Sequence, residues 1–540
     1  MSVHAQKTTL DARVPDAQAW LVVLVLVGSA LRLYFLSATQ WLIEGDEAAV
    51  GLQALHIMRG ERPIFYPGQA YLGNIESYMV AAVFSAVGVS RYALKLVPFA
   101  FALAFIYLCF QIGKEIFDNP RVGLIAALLA AIAPAYLLMW SLKARGGFIE
   151  ALVYAQLAWL WFHRWLSPKS AQLPPRRLSG LIFGLVAGYT LWLNPLAVYL
   201  LAPLAGVALL HAIRHRRAWR SALPGITGAA LGTFIALLPL LLYRLAFGRE
   251  LLSRVEEQVP PTGAWRALVA QAWRYFWQDG VPPLIGLREP RAAWMGDWRI
   301  VIIPVYAAAL LWMLRQAARS RAALVLALML VLAFPIFAFG SLTGGNFAVI
   351  IPDSGLLTRY LLPLWFLLIF ALALLFARLT VPLAGGALAL VLAVNMWSLF
   401  SMPDIVWFAQ NEFSNQRLPA SQAELIRFLE QNDLHAIFTN HWIGFPLMLE
   451  THEQVVTFDY PDVRYGMNRF PEFGQIVQAA SNPALVVFDP HYEPNPIDSR
   501  LKQLGVAYQK TELEHFIVYY GFNPNIHPSA YADVLQWPYY

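Results

Sequence analysis

Apolar runs of membrane-spanning length recur from residue 17 to residue 402 and leave few alternatives for the fold. A helix needs about 20 apolar residues to cross the hydrocarbon core of a bilayer. Of the 540 residues, 59% are hydrophobic and only 13% are charged, which is too little polar surface for a soluble protein of this size. We therefore predict an α-helical polytopic membrane protein with eleven transmembrane helices: Ala17–Leu36, Tyr92–Ile116, Val122–Leu142, Phe148–Trp165, Leu178–Leu193, Leu196–Ile213, Leu223–Phe247, Ile300–Leu314, Ala322–Gly340, Leu356–Phe376 and Val381–Met402.

A further apolar run, Ile75–Val89, decides on which side of the membrane every later loop lies. If it does not cross, the cytoplasmic loops contain fourteen Lys or Arg and only two acidic residues, as the positive-inside rule requires. If it crosses, those basic loops face outward. We therefore predict that Ile75–Val89 is a helix within the first outer loop, with the amino terminus inside and the carboxyl terminus outside. The basic loops are 114–121, 163–177, 214–220, 315–321 and the turn at Arg378.

Charge and cysteine content narrow the function classes further. The net charge of +6 arises from these short basic loops, so it reflects membrane topology and indicates no nucleic-acid partner. The only cysteine, Cys109, excludes an internal disulfide. Ala17–Leu36 is long for a signal-peptide core and is followed by no clear small-residue cleavage site, so we expect an uncleaved first span.

The composition changes sharply after Met402, and residues 403–540 are predicted to form a small soluble α/β domain beside the membrane module of residues 1–402. Strand-like runs alternate there with helical runs. No dinucleotide, P-loop or zinc motif occurs in the chain, which gives no support to nucleotide cofactors or classical zinc sites. The expected strands are Ala436–Asn440, Gln454–Asp459, Ala484–Asp489 and His515–Phe522, and the expected helices are Ser421–Gln431 and Ile497–Leu504.

Two adjacent carboxylates, Asp46 and Glu47, follow the first span directly and are the first candidates for catalysis. Acidic residues can follow a span simply because the chain becomes polar there. Carboxylates beside an apolar surface, however, lose hydration unless another group stabilises them, and such a setting can tune a general base. We favour the functional interpretation.

An aromatic and amide-rich segment, Tyr66–Glu76, leads into the expected loop helix. Its last polar residues could cap that helix. Alternatively, the aromatic faces and amides could contact a sugar or an acceptor. The sequence leaves both open; the candidates are Tyr66, Gln69, Tyr71, Asn74 and Glu76.

The second outer loop, Ser141–Glu150, contains two cations, Lys143 and Arg145, against the positive-inside trend. Two glycines follow them, which would let backbone N–H groups approach a ligand. A phosphate would account for both features, although the cations could also be residues that reach for the membrane surface. Glu150 could supply a second catalytic acid.

At the outer end of a later span, Arg359 and Tyr360 are candidates for phosphate and sugar or acceptor binding, respectively. A lone arginine at a membrane edge is more often an anchor. The histidines show no paired spacing for a metal site, so a divalent metal is possible only through carboxylates.

These features together resemble the GT-C superfamily of integral membrane glycosyltransferases. The likeness is greatest to the family 39 and RgtA-like enzymes, which include protein O-mannosyltransferases and the lipid A aminoarabinose transferase. It covers residues 17–380. The matching features are the GDEA run at Gly45–Ala48, the loop helix before the second span, Phe117–Pro134, the acid after the third span, and Thr358–Leu364.

The resemblance implies that Asp46 is the catalytic base or an acceptor-binding carboxylate and that Glu150 is the second acid. This chain has Glu where the family usually has Asp, and many members lack the Lys-Ala-Arg-Gly-Gly run before it. The implied reaction moves a sugar from a polyprenyl-phosphate or diphosphate donor to a glycan, lipid or protein acceptor on the outer face, with inversion. The implied location is the bacterial inner membrane, with the site and the C-terminal domain outside.

Two other classes of protein remain open from the sequence. One is a transporter or flippase of lipid-linked sugars, although such proteins usually carry charges near mid-span. The other is a non-catalytic membrane protein that binds envelope glycans.

Overall fold

The computed structural model describes residues 17–166, 176–214, 219–256, 265–287, 298–343, 356–401, 419–459, 469–488 and 496–535. Within these ranges the chain is mainly helical as far as residue 401 and mixes helices with strands after residue 419. Eight helices in the described part are long and apolar enough to cross a membrane. The predicted helical membrane fold is confirmed, and the count of eleven spans stays a prediction.

Sixteen α-helices and a short hairpin are described before residue 401, and all eleven predicted runs fall on helices. They are α1 (Ala17–Ala38), α2 (Gly45–Met58), strands β1 (Phe65–Tyr66) and β2 (Gln69–Gly73), α3 (Ile75–Val87), α4 (Arg91–Glu115), α5 (Pro120–Ala131), α6 (Ala135–Trp140), α7 (Phe148–Leu166), α8 (Arg176–Leu193), α9 (Val198–Arg214), α10 (Trp219–Glu256), α11 (Trp265–Tyr275), α12 (Val281–Leu284), α13 (Trp298–Ala317), α14 (Arg321–Thr343), α15 (Leu362–Phe376) and α16 (Val381–Phe400).

The predicted span Val122–Leu142 is not one helix, because the chain breaks between α5 and α6 at Pro134. Proline has no N–H to donate and its ring collides with the carbonyl four residues earlier. The carbonyls at the end of α5 need other donors, and the buried Arg32 of α1 supplies them. Its guanidinium donates to the carbonyl oxygens of Ala130 and Ala131, each at 3.2 Å. A cation at a helix C-terminus also interacts favourably with the helix dipole.

Glycines allow neighbouring membrane helices to approach until their backbones touch. A Cβ atom built on Gly113 of α4 would lie 2.2 Å from the Cα atom of Gly123 in α5. A Cβ atom on Gly184 of α8 would lie 2.0 Å from the carbonyl oxygen of Ala229 in α10. Small residues at such crossings are typical of helix pairs in membranes, where close packing is the main source of attraction.

The first outer loop contains two helices, α2 and α3, and α3 corresponds to the loop helix predicted over Ile75–Val89. The 13 residues of α3 span about 20 Å, well short of the hydrocarbon thickness of about 30 Å. Residues of both helices share one buried apolar cluster that includes Ala48, Leu52 and Val80. The same cluster includes Leu94 and Val97 near the start of α4, so this outer-loop layer packs on the N-terminal end of that helix.

The C-terminal part mixes helices and strands. Its elements are α17 (Ala423–Gln431), β3 (Ala436–Phe438), α18 (His441–Glu450), β4 (Val456–Phe458), α19 (Pro471–Ala479), β5 (Ala484–Phe488), α20 (Pro496–Gln503), β6 (Ala507–Glu512) and β7 (Phe516–Asn523).

The strands form a five-stranded sheet of order β4-β3-β5-β7-β6, and the four strands predicted from the alternating pattern are β3, β4, β5 and β7. Strand β3 pairs in parallel with β4 and β5, whereas β7 pairs antiparallel with β5 and β6. The sequence did not predict β6, α18 or α19. The predicted domain boundary between residues 402 and 403 falls within residues 402–418, which lie outside the described ranges.

The C-terminal part packs directly on α2. A Cβ atom on Gly51 of α2 would lie 2.6 Å from the Leu449 side chain of α18, so the two helices touch where α2 has no side chain. Phe445, Met448 and Phe470 belong to the same apolar cluster as α2 and α3. The candidate site lies at this junction.

Candidate active site at the outer-loop layer

Asp46 lies in the first turn of α2 and is buried, with 3% of its surface exposed. Its carboxylate forms two ion pairs, through Oδ2 with Arg145 and through Oδ1 with Arg469. The hydroxyl of Tyr66 donates to the main-chain carbonyl of Asp46 at 2.8 Å. The first-loop carboxylate and a cation of the second outer loop therefore meet, as expected from their predicted location on the same side of the membrane.

The two arginines determine the protonation state of Asp46. Burial alone would raise the pKa of this carboxyl, because the charged form loses hydration. The guanidiniums of Arg145 and Arg469 outweigh burial and hold the pKa well below its usual range. Asp46 is therefore ionised at neutral pH. A carboxylate with so low a pKa is a weak base while both cations stay beside it.

Glu44, one residue before α2, is the second acid that holds the cations of the second outer loop. It is fully buried and accepts hydrogen bonds from Lys143 Nζ at 3.1 Å and from Arg145 Nη1 at 2.8 Å. Burial lowers the pKa of Lys143, although Glu44 acts against it. Burial acts to lower the pKa of Arg145 as well, but Asp46 and Glu44 raise it above its usual value. Arg145 is thus shared between two carboxylates.

The two glycines that follow Arg145 give this loop its shape. Gly146 and Gly147 have φ angles of 74° and 72°, in the left-handed region that favours glycine. A Cβ atom on Gly147 would also lie 2.7 Å from the side chain of Leu193. The amide of Asn194 fixes the turn by donating to the carbonyl of Gly146 at 3.0 Å. The Lys-Ala-Arg-Gly-Gly sequence is therefore matched to one buried loop conformation.

The ring of Trp140, at the end of α6, contacts three cations. Its ring lies 5.2 Å from Lys143 Nζ and 5.7 Å from the guanidinium carbons of both Arg145 and Arg359. Arg359 also lies 4.8 Å from the ring of Tyr360 and donates to its hydroxyl at 3.0 Å. The three predicted phosphate-binding side chains therefore converge on one buried ring.

Glu47, the neighbour of Asp46, has a different environment. Its Oε1 atom accepts from Lys95 of α4 and from the main-chain N–H of Ala144 at 2.9 Å, and its Oε2 atom accepts from the N–H of Glu44 at 3.4 Å. The ion pair with Lys95 is almost completely buried. Both oxygens are engaged in joining α2, α4 and the second outer loop.

Glu76 and Glu150 form a third acidic group beside the cationic loop. Glu76 accepts from the N–H of Gly147 at 3.0 Å, while its other oxygen and both side-chain oxygens of Glu150 have no hydrogen-bond partner among the described residues. Burial and the neighbouring Glu150 raise the pKa of Glu76 well above its usual value. Within the residues that the structure describes, no group of three or more His, Cys, Asp or Glu could hold a metal ion.

The remaining predicted sugar or acceptor residues lie around the hairpin β1–β2. Tyr66 is buried and pairs in the hairpin with the half-buried Gln69. Asn74 occupies the position before α3 without capping it by its side chain, and its amide donates to the carbonyl of Pro63 at 3.4 Å. The side chain of Tyr71 lies outside the described residues.

Four residues of this constellation were missed by sequence analysis: Glu44, Lys95, Trp140 and Arg469. Glu44 and Trp140 each adjoin a segment that was singled out. Lys95 could have been noticed as a charge inside an apolar run. Arg469 is separated from Asp46 by 423 residues, and no local pattern marks it.

No protein-family model matches the chain, and no curated protein sequence matches it significantly. Among solved structures, ArnT from Cupriavidus metallidurans is similar, both bound to undecaprenyl phosphate and in the apo state. Each comparison has a TM-score of 0.57 at 13% identity and covers 93% of this chain and 98% of ArnT. The apo Archaeoglobus fulgidus oligosaccharyltransferase gives a TM-score of 0.49 at 14% identity, covering 88% of this chain and 70% of that one.

The similarity to ArnT extends over nearly the whole length of both chains, so it includes the membrane helices and the C-terminal part together. The chain therefore shares its fold with ArnT, in line with the helical membrane fold that the sequence predicted.

Proposed function

We propose that this protein is a glycosyltransferase that moves a sugar from a polyprenyl-phosphate or diphosphate donor to an acceptor on the outer face of the membrane. The observation that carries the proposal is the buried contact of Asp46 with Arg145, inside a cluster of cations on top of an apolar helical bundle. The fold shared with ArnT, whose structure contains undecaprenyl phosphate, supports the same donor class.

A phosphate suits the charge of this cluster. Lys143, Arg145 and Arg359 surround Trp140, and guanidinium groups bind phosphate oxygens in a planar, two-point geometry. Among the described side chains, five cations contact the three carboxylates Glu44, Asp46 and Glu47 or the ring of Trp140. The cations are Lys95, Lys143, Arg145, Arg359 and Arg469. Cations therefore outnumber carboxylates in this set, and a bound anion would balance the charge.

Donor binding would also change the base strength of Asp46. Arg145 contacts the carboxylates of Glu44 and Asp46 and lies over the ring of Trp140, beside the other cations proposed to bind phosphate. A bound phosphate would therefore compete with Asp46 for Arg145. A weaker contact with Arg145 raises the pKa of Asp46 towards the range in which a carboxylate accepts a proton usefully. Asp46 then takes the proton of the acceptor hydroxyl while that oxygen bonds to the anomeric carbon. The bond from this carbon to the phosphate oxygen breaks, and the configuration inverts.

The other predicted residues have supporting parts in this proposal. Glu47, with both oxygens engaged, stabilises the site rather than taking a proton. Glu150 and Glu76 offer oxygens without donors, which suits hydroxyl groups of a sugar or acceptor. Tyr66, Gln69, Tyr71, Asn74 and Tyr360 are proposed to contact the sugar or the acceptor. The site and the C-terminal domain are proposed to face the outside of a bacterial inner membrane.

The test is transfer by purified protein in lipid nanodiscs. Undecaprenyl phosphate carrying a labelled pentose or hexose is supplied with an envelope lipid and glycan extract, and release of undecaprenyl phosphate is measured. We expect Asp46→Asn to lower turnover by about 10²- to 10⁴-fold, the usual contribution of a general base. Asp433→Asn, at a surface-exposed acid of the C-terminal domain, is the matched control.

Thermal stability recorded on the same samples separates loss of chemistry from loss of fold. Donor turnover that is unaffected by Asp46→Asn would contradict Asp46 as the base. Movement of intact lipid-linked sugar between leaflets, with no transfer, would contradict the enzyme proposal as a whole.

A further inference from the structure

Arg469 belongs to the C-terminal part of the chain, yet its side chain lies in the site on the membrane module. The side chain is 2% exposed and forms its ion pair with Asp46. Arg469 approaches Oδ1 while Arg145 approaches Oδ2, so each carboxylate oxygen has its own guanidinium. The C-terminal part therefore contributes a direct ion partner of the proposed base.

The position of Arg469 is fixed by its surroundings. Its guanidinium carbon lies 5.0 Å from the centre of the Tyr66 ring. A Cβ atom on Gly68 would lie 3.1 Å from Arg469 Cγ, so the β1–β2 turn fits closely against the arginine stem. The next residue, Phe470, is buried in the apolar cluster shared with α2. The arginine is held by packing as well as by charge.

The two guanidiniums next to Asp46 have different second partners. Arg145 also binds Glu44 and lies over Trp140 with the other phosphate-binding cations. Arg469 instead lies over Tyr66, whose hydroxyl donates to the main chain of Asp46. A phosphate in the cationic cluster would therefore compete for Arg145 and leave Arg469 in contact with Asp46.

We propose that Arg469 is a positioning residue that keeps Asp46 ionised and oriented when Arg145 turns to the donor phosphate, and that the C-terminal domain thereby completes the active site. This inference rests on the proposed transfer reaction. Arg469 forms its ion pair with Asp46 of α2 and lies over the ring of Tyr66 in β1, so we expect its effect on the reaction to act through Asp46.

The titratable and charged groups that face Asp46 come from several elements, and all of them affect the pKa of Asp46. They are Arg145 of the second outer loop, Arg359 of the turn before α15, Arg469, His441 and Tyr66. His441, in α18, is itself paired with Asp459 at 2.8 Å. Removal of one adjacent cation from a carboxylate typically raises its pKa by about 1 to 3 units.

The experiment compares Arg469→Gln and Arg469→Lys in the full-length protein, with Arg427→Gln on the exposed face of α17 as the control. The readouts are kcat, the KM for the lipid-linked donor, and kcat as a function of pH. For Arg469→Gln we expect a fall in kcat of about 10- to 100-fold, a donor KM within about threefold of the parent, and an acid limb moved to higher pH. Arg469→Lys keeps the charge and restores part of kcat and of the pH profile.

Several outcomes would overturn the inference. A rise in donor KM with an unchanged pH profile would make Arg469 a phosphate ligand instead. Activity equal to the parent in both variants would remove any role for it. If Arg469→Gln does not fold, the test moves to Arg469→Ala or Arg469→Met, whichever folds. A normal kcat and pH profile in that variant would contradict the proposed role of Arg469. The same result in Arg469→Lys, with its ion pair to Asp46 lost, would also contradict it. Parent protein without transfer activity would refute the proposed function, which is a separate result.

Discussion

The buried ion pair between Glu47 and Lys95 allows a stability effect to be separated from a catalytic one. Glu47 is 1% exposed and Lys95 is 4% exposed, so neither charge is solvated in the folded protein. The substitution Glu47→Gln keeps the shape of the side chain and removes its charge. Lys95 is then a buried cation without its carboxylate.

The size of the effect follows from this burial. Breaking a buried ion pair by removing one partner costs about 3 to 5 kcal/mol, because the remaining charge is uncompensated. In the parent, the N–H of Ala144 donates to Glu47 Oε1 at 2.9 Å. The amide oxygen of the substituted glutamine can still accept this hydrogen bond, so the expected loss of stability lies towards the lower end of this range. Replacing both partners, as in Glu47→Gln with Lys95→Met, removes the uncompensated charge. We expect the double variant to recover most of the stability.

The assay is unfolding in mixed micelles by titration with denaturing detergent, followed by tryptophan fluorescence, together with donor turnover on the folded fraction. We expect Glu47→Gln to unfold at lower detergent fraction and to keep turnover per folded molecule within about tenfold of the parent. A variant as stable as the parent but without activity would refute the assignment of Glu47 to structure and would return it to catalysis.

Two further predictions concern the packing around the site. His56 pairs with Glu453 at 2.8 Å, and this hydrogen bond raises the pKa of His56. The pair therefore stabilises the folded protein fully below about pH 6.5, the usual pKa of histidine, and this stabilisation is lost as pH rises through the pKa of His56 in the folded protein. We expect the parent to lose more stability than His56→Gln between pH 6 and 9, because only the parent loses a charged pair with Glu453 as pH rises; an equal slope in both proteins would contradict this. Gly113→Ala should destabilise the protein by about 1 to 3 kcal/mol, because its Cβ atom would collide with the backbone at Gly123. Gly385→Ala, where a Cβ atom meets nothing, is the control, and equal melting temperatures for the two variants would refute the packing argument.

Local patterns were sufficient to predict the long apolar helices and four of the five strands of the C-terminal sheet. An apolar run of about 20 residues carries its own information, because the bilayer thickness sets the length. The break within Val122–Leu142 was visible as Pro134, but its compensation was not. Arg32 lies 98 and 99 residues from the carbonyls that it caps, and no local pattern connects them.

The candidate site shows the same limit. Topology was enough to expect Asp46 and Arg145 on one side of the membrane, and the structure brings them into contact. Which acid binds which cation depends on packing, so the sequence did not predict that Glu47 pairs with Lys95 or that Glu44 pairs with Lys143 and Arg145. Arg469 enters the site only because the C-terminal part folds back onto α2.

The central claim is that a polyprenyl phosphate binds where the first-loop carboxylate meets the cations of the second outer loop. The most direct measurement is an experimental structure of the protein in nanodiscs with undecaprenyl phosphate added. We expect the phosphate within hydrogen-bond reach of Lys143 and Arg145, with the Arg145 contact to Asp46 lengthened and the Arg469 contact retained. A phosphate bound beyond reach of both cations, or at the opposite face of the membrane, would contradict the account.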